Sequence, residues 1–188
     1  DRNEINKKNY ILYSGNLNKN NGIHNLVSAF LKIKSNYQLI IFGSGDYASE
    51  LRELARGRSD ITYYGFVEND VVLKYQEESR ILVIPRPVNE DFVKYSFPSK
   101  LIEYMQSGTI TITTRLPGIP NDYFEYIYFF DSADVTGLKA GLEKLIVLSG
   151  VELDERGHKA KEFVLNNKNN FVQANKILKL LRGELWKI

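Results

Sequence analysis

The sequence contains no cysteine, a single methionine, a single tryptophan and only two histidines in 188 residues. Without thiols there is no disulfide framework, no cysteine nucleophile and no thiolate metal site, and the chain suits a reducing compartment. His24 and His158 lie far apart, so a histidine-based metal cluster is not expected. Charge of one sign is also scarce. The net charge of +2 is too near balance to point to a nucleic-acid partner, and none is expected. No apolar run approaches the roughly 18 residues that span a bilayer. The opening DRNEINKKNY is polar and carries no secretory signal pattern. It begins at Asp1 rather than a methionine, which predicts a piece of a longer protein. What remains is an ordinary globular composition, 43% hydrophobic and 26% charged. It is long enough to bury a sizeable core, read here as a single domain over 1–188.

Short apolar runs alternate with longer amphipathic ones. Residues 10–14 (YILYS), 37–42, 61–66, 81–84, 110–113 and 126–130 read as strands, and 23–31, 49–56, 70–78 and the SFPSKLIEYMQSG stretch from Ser96 to Gly108 as helices. Beyond them, 134–148, 151–166 and 172–185 read as helices. Repeated strand–helix alternation predicts an α/β fold: a doubly wound, parallel, six-stranded Rossmann-like sheet with helices on both faces. Ligands of such sheets bind beyond the carboxyl ends of the strands. The loops at 15–22, 43–46, 66–68, 85–97 and 115–120 are therefore the ones to watch.

The helix at Pro98 has a particular chemistry. Leu101, Ile102 and Met105 form an apolar stripe, with Ser96, Ser99, Lys100, Glu103 and Ser107 on the other side. Ser96 is the expected N-cap, and a proline near a helix start costs little because its missing N–H is an orphan there. A lysine in the first turn opposes the helix dipole by a few tenths of a kcal/mol, yet becomes sensible if an anion binds the free N–H groups. A bland alternative is a Lys100–Glu103 surface pair worth about 0.2–0.5 kcal/mol. Both readings stay open at this level.

Taken in order, "YSGNLNKNNGIHNLVSAF", "LIIFGSGDYASELRELA", "ITYYGFVENDVVLKYQEESRILVIP" and "FPSKLIEYMQSGTITITTRLPGIP" resemble the C-terminal, donor-binding domain of GT-B glycosyltransferases. They are most similar to the retaining family-four (glycosyl transferases group 1) enzymes of bacterial surface polysaccharide synthesis. The resemblance implies one half of a GT-B fold, with an N-terminal acceptor domain absent from this chain. It implies binding of a UDP- or GDP-sugar donor and metal-independent, retaining transfer to a hydroxyl of a saccharide or lipid-linked saccharide in the cytoplasm, at or near the inner membrane face. No cofactor or metal is implied, and the sequence has no D-x-D. By the same resemblance Ser99 and Lys100 hold the diphosphate and Glu103 the ribose. Gly15, Asn16 and Lys19 approach the phosphates, Gly43 and Gly45 the nucleoside, and Phe66 and Val67 the base. Gly118 lies in a loop over the donor. Lys100 and Glu90 are the implied catalytic pair. The sequence departs from the family pattern in two ways. Asn16 and Asn21 stand where arginine and lysine are common, with Lys19 or Lys100 to take over their charge and Arg86 and Arg115 as further substitute cations. The family commonly has two glutamates with seven residues between them, whereas counting back from Glu103 reaches Tyr95, and Glu90 is five residues further away.

Other features read as structural. The aromatic run at 123–130 suits core better than a stacking platform, and both histidines read as surface or structural. The last helix carries an apolar stripe of Ile177, Leu178, Leu181, Leu185 and Ile188 beside Lys176, Lys179 and Lys187. It suits packing against another domain, or peripheral membrane contact. A sugar-nucleotide epimerase and a non-catalytic nucleotide-binding module are the competing functions. A dinucleotide oxidoreductase fits worst, because the first loop lacks G-x-G-x-x-G.

Overall fold

The computed structural model describes residues 7–88, 93 and 96–183. Six parallel strands form one sheet: β1 (Lys8–Ser14), β2 (Gln38–Phe42), β3 (Ile61–Gly65), β4 (Ser79–Ile84), β5 (Ile110–Thr114) and β6 (Tyr128–Phe130). Between and after them run α1 (Ile23–Phe30), α2 (Ala48–Ala55), α3 (Asn69–Glu78), α4 (Ser99–Ser107), α5 (Val135–Ile146), α6 (Gly150–Asn167) and α7 (Asn170–Leu181). The strand order is β3-β2-β1-β4-β5-β6. β1 pairs with β2 on one side and with β4 on the other, all parallel. This is the doubly wound sheet that the alternation predicts.

The strands are apolar on both sides because both faces are covered. Ile11, Leu39, Ile41, Ile81 and Val83 point into a core shared with Leu26 and Val27 of α1 and Leu138 and Leu142 of α5. Their neighbours Leu12, Ile40, Phe42, Leu82 and Ile84 point the other way, to Leu101, Tyr104 and Met105 of α4 and Ala160 and Val164 of α6. The alternation is the period-two consequence of the pleat. β5 keeps the same period with a different chemistry: Ile110 and Ile112 enter the first core, while Thr111 and Thr113, which alternate with them, are buried polar residues.

Three local expectations shift. β6 covers only Tyr128–Phe130, because the 3-10 turn at Asn121–Tyr123 runs on into a turn in which the Tyr126 N–H donates to the Tyr123 carbonyl at 3.0 Å. α4 starts at Ser99 with Pro98 as its N-cap, whereas Ser96 lies upstream with its Oγ 3.4 Å from the Arg86 guanidinium. On the inner face of α4 the buried residues are Leu101, Tyr104 and Met105, so Tyr104 takes the place expected of Ile102. The aromatic run does enter the core: Tyr123, Ile127 and Phe130 are buried. α7 has no buried residue, and Ile177, Leu178, Leu180 and Leu181 are exposed. Leu185, Lys187 and Ile188 lie outside the described residues. Among the described residues, no helix is long and apolar enough to cross a membrane.

The turns after β1 and β2 press directly on each other. Gly43 has a φ of 127°, and a Cβ there would sit 1.8 Å from the Gly15 carbonyl oxygen. Only a hydrogen fits. Gly43→Ala is expected to destabilise the fold by more than the ~1–3 kcal/mol of an unfavourable backbone region alone. Gly57→Ala is the control, since Gly57 also has a positive φ but no atom within 4 Å of where a Cβ would lie. Denaturant unfolding of the two variants measures the difference; equal losses would mean that the β1–β2 turn contact is not tight.

Candidate functional site

The site grows out of the point where the winding reverses. The chain leaves β1 toward β2 and leaves β4 toward β5, in opposite directions, so a crevice opens beyond the ends of β1 and β4. Two adjoining lobes fill it. The first, about 470 Å³, lies over the ends of β1 and β2 and reaches Phe66, Val67, Glu68 and Asn69 at the start of α3. The second, about 200 Å³, lies between β1 and β4 and reaches Arg86 and Pro98–Lys100 at the start of α4. Ser14, Gly15, Asn16 and Lys100 line both lobes. They mark the junction.

Each wall has a local cause. The β1 turn runs Ser14-Gly15-Asn16, with the Gly15 N–H donating to the Phe42 carbonyl at 3.1 Å and the Leu17 N–H to the Ser44 carbonyl at 2.8 Å. Asn16 Oδ1 accepts the Asn18 N–H at 2.9 Å, so its side chain organises the turn itself. Opposite, α4 begins at a proline that has no side-chain hydrogen bond to give. The Leu101 N–H is taken by the Pro98 carbonyl at 2.8 Å, which leaves the Ser99 and Lys100 N–H groups and the positive dipole end to a ligand. Ser99 and Lys100 are the first two residues of that turn.

Lys100 and Glu103 do form the ion pair, Nζ to Oε1 at 2.8 Å, with side chains 34% and 30% exposed. It is more than a surface pair. The same Oε1 accepts from Gln76 Nε2 of α3 at 2.6 Å, and Gln76 is fully buried. Glu103 is thus anchored from inside the protein and in turn holds the ammonium that lines both lobes. Gln76 Oε1 is buried without a partner. The carboxylate fixes the amide orientation all the same, because the opposite one would aim the amide oxygen at it.

Among the sequence candidates, Gly15, Asn16, Gly43, Phe66, Val67, Ser99 and Lys100 come together around the crevice. Phe66 is 83% exposed at its rim. Glu103, Lys19, Gly45 and Gly118 lie apart from the lining. Glu103 sits one turn behind Lys100. Lys19 is turned to Glu50, at 3.1 Å, and its N–H is held by Asp46. Gly45 packs on the Leu17–Asn18 backbone, and Gly118 on the Ser96 carbonyl. Glu90 and Tyr95 lie outside the described residues. Of the substitute cations, Arg86 lines the second lobe, whereas the Arg115 guanidinium covers the rings of Phe124 and Phe129 at 4.6 and 4.2 Å. Asn21 lines the second lobe and donates to the Asn16 carbonyl at 3.2 Å. His24 sits edge-on to Tyr47 and His158 pairs with Glu162, both away from the crevice. Sequence reasoning missed Tyr13, Ser14, Asn69 and Tyr104, and reached Ser44 and Glu68 only as members of the loops at 43–46 and 66–68. Their proximity to Gly15, Gly43 and Lys100 in the chain was the available signal for several of them.

Residues 1–182 match the family described as Glycosyl transferases group 1. The chain belongs to that family. An uncharacterized glycosyltransferase of Methanocaldococcus jannaschii, MJ1607, is 31% identical over 114 residues, 58% of this chain and 28% of that protein. Anabaena HepE, crystallised with UDP, superposes with a TM-score of 0.75 at 14% identity, over 95% of this chain and 49% of HepE. The C-terminal domain of the group 1 protein LpcC from Francisella tularensis superposes with a TM-score of 0.69 at 17% identity, over 89% of each chain. This group 1 chain therefore has the Rossmann-like half of a GT-B fold, in keeping with a C-terminal domain. It spans about half or less of the length of MJ1607 and HepE.

The Gln76–Glu103 contact can be tested by charge. In Gln76→Glu two carboxylates meet without enough cation between them, so their folded-state pKa rises above the unfolded value of about 4.3. A raised folded pKa means that stability is lost at high pH and regained as pH falls toward the unfolded pKa. The variant is expected to lose stability against the parent at about pH 7.5 and to recover most of it near pH 5, read by urea unfolding. A pH-independent difference would show that residue 76 does not face Glu103.

Proposed function

We propose that this group 1 glycosyltransferase domain binds a nucleoside diphosphate sugar across the junction of the two lobes. The observation that carries the reading is the junction itself: an uncapped helix start bearing Lys100 faces the glycine turn of β1 at the switch point of the sheet. The base occupies the first lobe, by Phe66 and Val67. The diphosphate lies between the Gly15 turn and the Ser99–Lys100 amides, and Glu103 takes ribose hydroxyls with the oxygen not given to Lys100. The sugar points toward Arg86, at the start of the segment that follows β4 and includes Glu90 in the sequence. As the glycosidic bond breaks, negative charge grows on the leaving diphosphate, and the ammonium and helix dipole stabilise it without reorganising. HepE, bound to UDP or to UDP-glucose, supports UDP as the first nucleotide to try.

The whole activity rests on the same reading: retaining transfer, without a divalent metal, to an acceptor hydroxyl held on a second domain across the cleft. Synthesis of a cell-surface polysaccharide at the cytoplasmic membrane face is the setting that suits it. Calorimetry of the chain against UDP, GDP, ADP, CMP and their sugars is the test. Lys100→Ala is expected to weaken the preferred diphosphate about tenfold to a hundredfold, the loss of a charged hydrogen bond of ~1.5–3 kcal/mol. Glu103→Ala is expected to weaken it as well. Binding that ignores both substitutions would overturn the placement, and binding of none of the nucleotides would overturn the donor reading. Sugar transfer by this chain alone would overturn the second-domain acceptor site.

A further inference from the structure

We infer that Tyr13 and Tyr104 are positioning residues, Tyr104 tying the end of β1 to α4 and Tyr13 fixing the turn that follows from the opposite face of the sheet, and that together they set the gap that receives the diphosphate. The proposal rests on the donor reading above. Tyr104 lies one helical turn after Lys100 and is 1% exposed. Its hydroxyl accepts the Ser14 N–H at 2.8 Å, donates to the Ser14 carbonyl at 3.3 Å and lies 3.1 Å from Ser14 Oγ. Ser14 ends β1 and immediately precedes Gly15. One phenol thus ties the helix that carries Lys100 to the strand that carries the turn.

Tyr13 does the complementary work from the other core. Its hydroxyl donates to the Asn16 carbonyl at 2.7 Å, closing the turn two residues past Ser14. The side chain belongs to the first core, with Ile11, Leu17 and Ile23, whereas Tyr104 belongs to the second. Both phenols line the second lobe. Burial raises the pKa of each, that of Tyr104 to about 12. Both hydroxyls therefore keep a proton to donate at physiological pH. Gly15 lies between Ser14, tied to α4, and Asn16, tied back to β1, so one hydroxyl fixes the strand end beside Lys100 and the other fixes the shape of the turn. Neither phenol needs to touch the ligand.

Tyr→Phe removes each hydroxyl and keeps the ring. The test compares UDP or GDP, whichever the chain binds more tightly, with the matching monophosphate, by calorimetry. Tyr104→Phe and Tyr13→Phe are each expected to weaken the diphosphate about fivefold to tenfold, the equivalent of one neutral hydrogen bond. The monophosphate should change by less than about twofold on the same scale. A purely structural role would lower thermal stability and weaken both ligands together, and that outcome overturns the proposal. Unchanged diphosphate binding overturns it too, while leaving the donor reading intact. Absence of nucleotide binding in the parent chain overturns the donor reading and this proposal with it. Should one variant not fold, the other decides, because the two hydroxyls act through separate cores.

Discussion

β1 and β4 lie side by side as parallel strands while their chains depart in opposite directions, and the site depends on that divergence. Neither α1 nor α4 can cover the space between the strand ends, because each must cross over its own half of the sheet. The space left open is bounded by backbone: a turn on one side and a helix start on the other. Side chains then decide its charge. The fold supplies the opening and a direction for the dipole. Lys100 supplies the only full positive charge shared by both lobes among the described lining residues.

Close backbone approach is the second constraint. The turns after β1 and β2 touch at Gly15 and Gly43, and the chain entering α1 at Gly22 would place a Cβ 2.0 Å from the Pro85 carbonyl oxygen. Three strand ends are thereby drawn together within one van der Waals layer. Such packing leaves little room for adjustment, and hydrogen bonds hold the turn at fixed points. Tyr13, Tyr104 and the Phe42 carbonyl each take one point of it.

The Lys100–Glu103 pair shows how burial changes the meaning of a local pattern. Three residues apart on a helix, the two charges could be a solvated pair of small worth. Gln76 alters that. A fully buried amide from α3 fixes the carboxylate, and the carboxylate fixes the ammonium at the mouth of the crevice. The ion pair therefore does not exclude the anion site proposed for this helix start, because it holds the ammonium in place there.

The fold class, the strand-and-helix order and the loops at the carboxyl edge were legible in the residues alone, because period-two apolar runs, amphipathic helices and turn residues are written locally. So were Gly15, Gly43, Ser99 and Lys100, which punctuate those elements. Which candidates meet was settled by packing in three dimensions. Lys19 pairs with Glu50, Arg115 covers two aromatic rings, and Gln76 and Tyr104 join the site from positions that read locally as ordinary helix. Those outcomes depend on contacts between segments far apart in the chain, 90 residues for Ser14 and Tyr104. Hydrophobic periodicity records which face of an element is buried, but not which distant partner it meets there.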